Sequence, residues 1–200
     1  MRHFLLALLI TGMVGCAETG VQPAATAPDY PAWKLRQQEL QKIQSWDLIG
    51  RLAIKTDKDG WNVTINWKQR PDAWQLRLIA PLNQGTYQLQ GNDEKVILQT
   101  PENRMFRAKS PEVLLQHSLG WSVPFDGLKY WIRGIPEPDK PIDNIVVDND
   151  GRMVDLQQAG WHITITRYET AEKPELPEKL QMINDRFQLR LVVQQWQHTR

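Results

Sequence analysis

The sequence predicts a mainly β fold with short α-helices, about eleven strands following one another in antiparallel order. Two observations carry this. Apolar and polar residues alternate through most of the chain from Trp46 onward, the period-two pattern of strands with one buried and one wet face. Gly, Asn, Asp or Pro also punctuates these runs every few residues, as hairpin-linked strands require. A sheet this large curls, closes or splits in two. One that curls beneath helices makes a cup with an apolar lining, a shape able to hold a ligand.

The first segment is of another kind. Leu5 to Val14 is apolar, follows Arg2 and ends at Gly15-Cys16. The run has the length of a signal-peptide core and is too short to span a bilayer, so residues 1–15 are expected to be a leader. It is either an ordinary secretory signal or a lipoprotein signal cut before Cys16. The small residues before this single cysteine resemble the bacterial lipoprotein cleavage box, with Met13 where Leu is commoner. In that reading the Cys16 thiol and new amine carry acyl chains, and two or more chains anchor a domain firmly. Ala17 in the next place, rather than Asp, points by the same resemblance to the outer membrane and its periplasmic face. With no second cysteine, disulfides are excluded as a source of stability.

Residues 16–30 are expected to be the lipidated N-terminus and a tether. Ala17 to Pro28 is small, polar and proline-punctuated, the composition of a flexible leash. Residues 31–200 are then a single domain, large enough to bury roughly 70% of its unfolded surface. The chain has 24 basic and 23 acidic residues, and Arg2 leaves with the leader. Such balance argues against nucleic acid as a partner and against steering to an anionic membrane. Nine tryptophans are many for this length. Trp is rarely buried completely, so rings of this number fill a core and also line a cavity or interface.

The domain opens with a helix after Pro31, with Trp33, Leu40 and Ile43 on one face. Trp46, Leu48, Gly50, Leu52 and Ile54 begin the alternation, and Asp59-Gly60 predicts a hairpin turn. The cleanest strand follows, with Trp61, Val63, Ile65 and Trp67 on one face. After Pro71-Asp72, Trp74, Leu76 and Leu78 continue it, and short strands are expected at Tyr87–Leu89, Val96–Leu98 and Met105–Ala108. Ser110-Pro111-Glu112 reads as a capped helix start and Gly120 as its end. A second short helix follows Pro124, with Leu128, Trp131 and Ile132 on one side. Strands resume at Ile145–Val147, Met153–Gln157 and Trp161–Ile165, separated by turns at Asn149-Asp150-Gly151 and Ala159-Gly160. Leu180 and Met182, then Phe187, Leu189, Leu191 and Val193, complete the sheet, with Trp196 near its end.

No catalytic or metal-binding constellation stands out. His117, His162 and His198 have no ligand spacing, there is no Gly-x-Ser-x-Gly elbow, and no phosphate-binding glycine loop occurs. Asp148 and Asp150 flank a hairpin turn and lack the further acids of a calcium loop. An enzyme, a metal and a cofactor are therefore not expected. One feature resists a bland reading. Leu82 sits near the tip of the turn Pro81-Leu82-Asn83-Gln84-Gly85. It either folds back onto the sheet or protrudes toward a membrane or lipid-bearing partner.

Several segments then resemble one family in order and spacing: Trp46-Asp47-Leu48-Ile49-Gly50-Arg51-Leu52, Trp67-Lys68-Gln69, Pro81-Leu82, Ser110-Pro111-Glu112, Leu119-Gly120-Trp121, Trp131-Ile132-Arg133-Gly134-Ile135-Pro136, Gln158-Ala159-Gly160-Trp161 and Leu176-Pro177. With the cleavage box ahead of them they resemble the LolB family of outer-membrane lipoproteins over nearly the whole chain. The resemblance implies an open antiparallel β half-barrel, helices covering an apolar cavity, and a receptor rather than an enzyme. Its implied partners are a LolA-type periplasmic carrier, the acyl chains of an incoming lipoprotein and outer-membrane lipid, met by a monomer. Leu82 matches the family's protruding leucine. The family's following Gly is Asn83 here, a residue that visits left-handed backbone more readily than most. The cavity lining is expected to draw on Trp61, Val63, Ile65, Trp67, Trp74, Leu76, Leu78, Trp131, Ile163 and Leu191. Two other classes stay open: a simple amphiphile-binding module, and a scaffold lipoprotein whose helices fill its own sheet.

Overall fold

The computed structural model describes residues 25–26 and 30–199, apart from 83 and 172. The leader, Cys16, Asn83 and most of the expected tether therefore lie outside the described residues. Of the tether, Ala25–Thr26 forms a two-residue strand, β1, paired with Val147 and Val146. Among the described residues, twelve strands make one antiparallel sheet in the order β1-β8-β9-β10-β11-β12-β2-β3-β4-β5-β6-β7. The sheet is open, with β1 at one edge and β7 at the other.

Two meanders build it. The first runs β2 (Ser45–Lys55), β3 (Gly60–Gln69), β4 (Trp74–Ile79), β5 (Thr86–Gly91), β6 (Val96–Gln99) and β7 (Met105–Ala108). The second runs β8 (Ile142–Val147), β9 (Met153–Gln158), β10 (Trp161–Tyr168), β11 (Pro177–Ile183) and β12 (Gln188–Thr199). They join where β12 pairs with β2 along their whole lengths, from Gln188 opposite Lys55 to Thr199 opposite Ser45. The register places the β2–β3, β4–β5, β6–β7, β9–β10 and β11–β12 turns at one end of the sheet. The other end carries the β3–β4, β5–β6 and β8–β9 turns.

Among the described residues three helices cover the inner face: α1 (Pro31–Lys42), α2 (Pro111–Leu119) and α3 (Phe125–Trp131). Their apolar sides and the inward residues of both meanders form one core. α1 buries Trp33 and Leu40, as its sequence face requires, and Ile43 just past its end. It lies against the β8–β9 turn, where Gly151 (φ +72°) leaves a Cβ position 2.6 Å from the Ala32 carbonyl carbon. No helix of the described residues is long and apolar enough to cross a membrane.

Two local expectations shift. The β2–β3 turn is Thr56–Asp59 rather than Asp59-Gly60, and Gly60 already pairs with Lys55. The Thr56 hydroxyl oxygen accepts from the Lys58 and Asp59 N–H groups at 3.3 and 3.0 Å, a side-chain turn that displaces the two-residue hairpin. Ser110 occupies the N-cap position of α2 in extended conformation but its side chain makes no capping hydrogen bond. Glu112 instead reaches across to accept the Phe125 N–H at 2.9 Å, which caps α3 and ties the two helices together.

Candidate functional site

β3 and β4 supply most of the expected lining. Ile65, Trp67, Leu76 and Leu78 are buried, while Trp61, Val63 and Trp74 are half-buried. Register makes Leu48, Trp67, Leu76, Leu89 and Leu98 one continuous row across five strands. On the second meander Leu191 stands between Leu52 and Leu180, and Ile163 between Leu156 and Met182. Trp131 belongs to the cover rather than the sheet. It packs at 6.1 Å from Trp161, and its indole N–H donates to Gln158 Oε1 at 2.9 Å. Residues of the cover thus face the aromatic positions of this lining. Phe125 of α3 stacks on Trp67 at 4.8 Å and lies 4.2 Å from Trp74. Trp121, after α2, meets Trp61 edge-on at 5.7 Å.

The hinge between sheet and cover is polar. Gln158 is fully buried and makes four hydrogen bonds: it accepts from Trp131 Nε1 and the Glu137 N–H, and donates to the Glu137 and Lys140 carbonyls. Buried polar groups are kept only when satisfied in this way. Arg133 closes the other side. Its Nη1 donates to the Leu40 and Ile43 carbonyls at 3.2 and 2.8 Å and its Nε to the Lys129 carbonyl at 2.9 Å. The guanidinium lies 5.1 Å from the Tyr130 ring centre. No carboxylate among the described residues pairs with it, and burial lowers its pKa to about 10. A second polar cluster locks α1 to the sheet. Arg152 pairs with Asp148 at 2.7 Å and Glu175 at 2.8 Å, and Arg36 donates to the Glu175 carbonyl. Both guanidinium groups lie over Tyr168, whose hydroxyl donates to the Met153 carbonyl at 2.6 Å.

Leu82 is the outlier. It is 92% exposed and its φ is +54°. A leucine in left-handed backbone costs about 1–2 kcal/mol, and its side chain gains nothing from the core. The loop under it is braced: Ala80 N–H donates to the Gly85 carbonyl at 3.0 Å and Gln84 N–H to Pro81 at 3.2 Å. Gly85 (φ +105°) abuts Pro101 so closely that a Cβ would lie 2.4 Å from its Cβ. The apolar tip is therefore held out on a firm base, at the end of the sheet where Trp61 and Trp121 meet.

The lining expectation omits Leu48, Leu89 and Leu98 of the inward row and, on the cover side and at the junction, Phe125, Trp121 and Gln158. Gln158 carries a signal, being a polar residue on the inward phase of β9 two positions after buried Leu156. Phe125 and Trp121 sit at a helix start and in a loop, where periodicity is silent. His162 faces solvent, 2.5 Å from Asp155. No group of three or more His, Cys, Asp or Glu among the described residues could hold a metal.

Residues 44–196 match the family model described as Outer membrane lipoprotein LolB. Two similar curated proteins are both called Outer-membrane lipoprotein LolB. That of Nitrosococcus oceani is 38% identical, covering 98% of this chain and 99% of its own. That of Pseudomonas syringae pv. syringae is 33% identical, covering 98% and 96%. Among solved structures, a LolA superfamily protein from Nitrosomonas europaea superposes with a TM-score of 0.56 at 8% identity, over 88% of this chain and 95% of that one. At that identity the likeness shows the fold alone.

Proposed function

The chain belongs to the LolB family of outer-membrane lipoproteins, and on that premise we propose how it works. It is an outer-membrane lipoprotein receptor of the Lol system, lipid-anchored, and not an enzyme. Residues 1–15 are its leader, Cys16 its acylation site and residues 16–30 the leash, with 31–200 the binding domain. It takes lipoproteins from a LolA-type carrier by accepting their acyl chains between the sheet and its helices, then inserts them into the outer membrane.

Leu82 is the observation that carries this reading: an apolar side chain presented to solvent, on a braced loop, in a backbone state that costs stability. Strain kept at an exposed position points to a function, and a single leucine entering a bilayer gains about 2 kcal/mol. The interior supports the other half of the proposal. Its rings meet helix side chains that acyl chains would replace, so uptake is an exchange of α2 and α3 contacts for chain contacts. An acyl chain is worth about 0.8 kcal/mol per buried CH₂, so such exchange keeps binding reversible. The buried sheet residues of the expected lining, Ile65, Trp67, Leu76, Leu78, Ile163 and Leu191, answer to this role once the cover shifts, and half-buried Trp61 and Val63, at the Leu82 end of β3, form its entrance.

The test mixes the full chain, reconstituted in liposomes, with a LolA-type carrier loaded with an acylated lipoprotein. Cargo is expected to leave the carrier and sediment with the liposomes. Cargo that stays on the carrier, beside a folded receptor, would overturn the reading in favour of a scaffold or a simple amphiphile binder.

A further inference from the structure

Four buried tryptophans of this domain divide evenly by what their indole N–H groups do. Trp131 and Trp196 donate to Gln158 Oε1 and the Pro177 carbonyl, each at 2.9 Å. The indole N–H groups of Trp67 and Trp121 are as deeply buried and meet no acceptor among the described residues. An indole is a donor only, and a buried donor left unmade costs more than a formed bond returns.

The two orphans differ in access. Trp67 is flanked by the rings of Trp46 and Phe125, and Phe125 is itself backed by Trp74. Trp121 is 4% exposed, yet its ring partner Trp61 is half-buried and stands at the Leu82 end of the sheet. Six residues of β3 put Trp61 about 20 Å from Trp67, so the two N–H groups serve different depths. Left-handed Gly120 turns the chain so that the Trp121 backbone N–H donates to the Leu115 carbonyl at 3.2 Å, holding the residue at the end of α2. Ser122 there pairs with Gln116, but the buried Ser118 hydroxyl is without a partner among the described residues.

We infer that Trp121 Nε1 is the donor for an ester carbonyl of the diacylglyceryl group of the ligand, with Ser118 beside it on the same segment. This rests on the acyl-binding reading above and deepens it. An acyl ligand is apolar except at its linkages, and its carbonyl oxygens are the acceptors it can bring into an apolar mouth. Chains lying inward from Trp121 along β3 would place those linkages at the level of the rim. Recognition there lets the receptor distinguish an esterified glyceride from any long hydrocarbon.

The experiment uses the full chain in an alkyl-glucoside detergent, which carries no carbonyl. Two synthetic lipopeptides share one peptide and one chain length, one with ester-linked and the other with ether-linked glyceryl chains. Both compete against a fluorescent alkane. The diester is expected to bind about fivefold more tightly, as one additional buried hydrogen bond requires. Trp121→Phe keeps a ring against Trp61 and is expected to bind both at the wild-type diether affinity. Equal binding of the two by the wild type overturns the inference and leaves acyl binding standing. So does a preference that survives in Trp121→Phe. Failure of both lipopeptides to bind overturns this inference and the receptor reading together. If Trp121→Phe does not fold, the wild-type comparison alone decides. Diester and diether phosphatidylethanolamine form the second arm. A matching preference there means that any ester glyceride is read, and a preference confined to the lipopeptides means that the acylated cysteine is read.

Discussion

Gly50 faces Val193 across the seam between the two meanders, and a Cβ on Gly50 would stand 2.6 Å from the Val192 carbonyl oxygen. The pairing slips by one residue there: Val193 opposes Gly50, but Gln195 opposes Ile49. This bulge reverses the phase of β12. Val193 points inward, Gln194 and Gln195 are both exposed, and Trp196 is inward again. Trp196 then rests edge-on against Trp46 at 5.6 Å and donates to the Pro177 carbonyl.

Gly50→Ala is accordingly expected to destabilise the domain by about 2 kcal/mol, the usual scale of forced overpacking. The close atoms are backbone, so the seam itself must move. Urea unfolding followed by tryptophan fluorescence measures it, and an unchanged midpoint would mean that the bulge accommodates a methyl group without help from glycine.

Gln158 gives a second stability test. Gln158→Leu leaves the Trp131 N–H and the Glu137 and Lys140 backbone groups without their partners in a buried place. The expected cost is about 3 kcal/mol, from several desolvated groups left unmade. Because three of those groups belong to the segment after α3, the variant should also release the helical cover and raise binding of a hydrophobic dye. A variant as stable and as dark as the wild type would show that water or a neighbour replaces the amide.

These two positions mark the limits of what is legible in the sequence. Alternation from Trp61 to Trp67 defines β3 and its inward face, because a strand's period is local. Ala159-Gly160 defines its hairpin because both residues must take positive φ, and they do, at 52° and 75°. The β2–β3 turn was less legible, since a side-chain contact from Thr56 outweighs the preference of Asp-Gly. The bulge at Val193 was not legible at all, being fixed by a glycine on another strand. For the candidate site, the sheet side was readable and the cover was not. Phe125 opposes Trp67 and Trp74 only through tertiary packing, which leaves no period in one segment. Leu82 was half-legible: the turn residues mark a tip, but only the backbone shows that the side chain points out.

The Glu175 cluster predicts a pH dependence. Burial pushes the Glu175 carboxyl up, but hydrogen bonds from Lys173 and Arg152 and their charges outweigh it and hold the carboxyl below its usual range. A carboxyl depressed in the folded state adds stability above its unfolded pKa, and that stability is lost as pH falls through the folded value. Unfolding free energy should therefore drop on acidification below about pH 4.5, the ordinary carboxylate range. Glu175→Gln should be less stable than wild type at pH 7 and show a shallower acid limb. Parallel acid limbs in the two proteins would remove Glu175 from the account.

Leu82 separates structure from function with two substitutions. Leu82→Gly removes the side chain and relieves the left-handed strain, so folding stability is expected to hold within about 1 kcal/mol despite the added freedom of the unfolded chain. Leu82→Glu keeps a side chain of similar reach but makes it unwelcome in hydrocarbon. Both variants should still take cargo from a carrier, since the loop is braced apart from the inner face. Both should deliver it to liposomes about tenfold more slowly, as the loss of one buried leucine implies. A structural leucine would give the opposite pattern, with the glycine variant unstable and any surviving protein delivering normally. A membrane probe gives full uptake, unchanged melting and failed insertion, and it predicts Leu82→Phe to rescue delivery because an apolar side chain alone is needed at the tip.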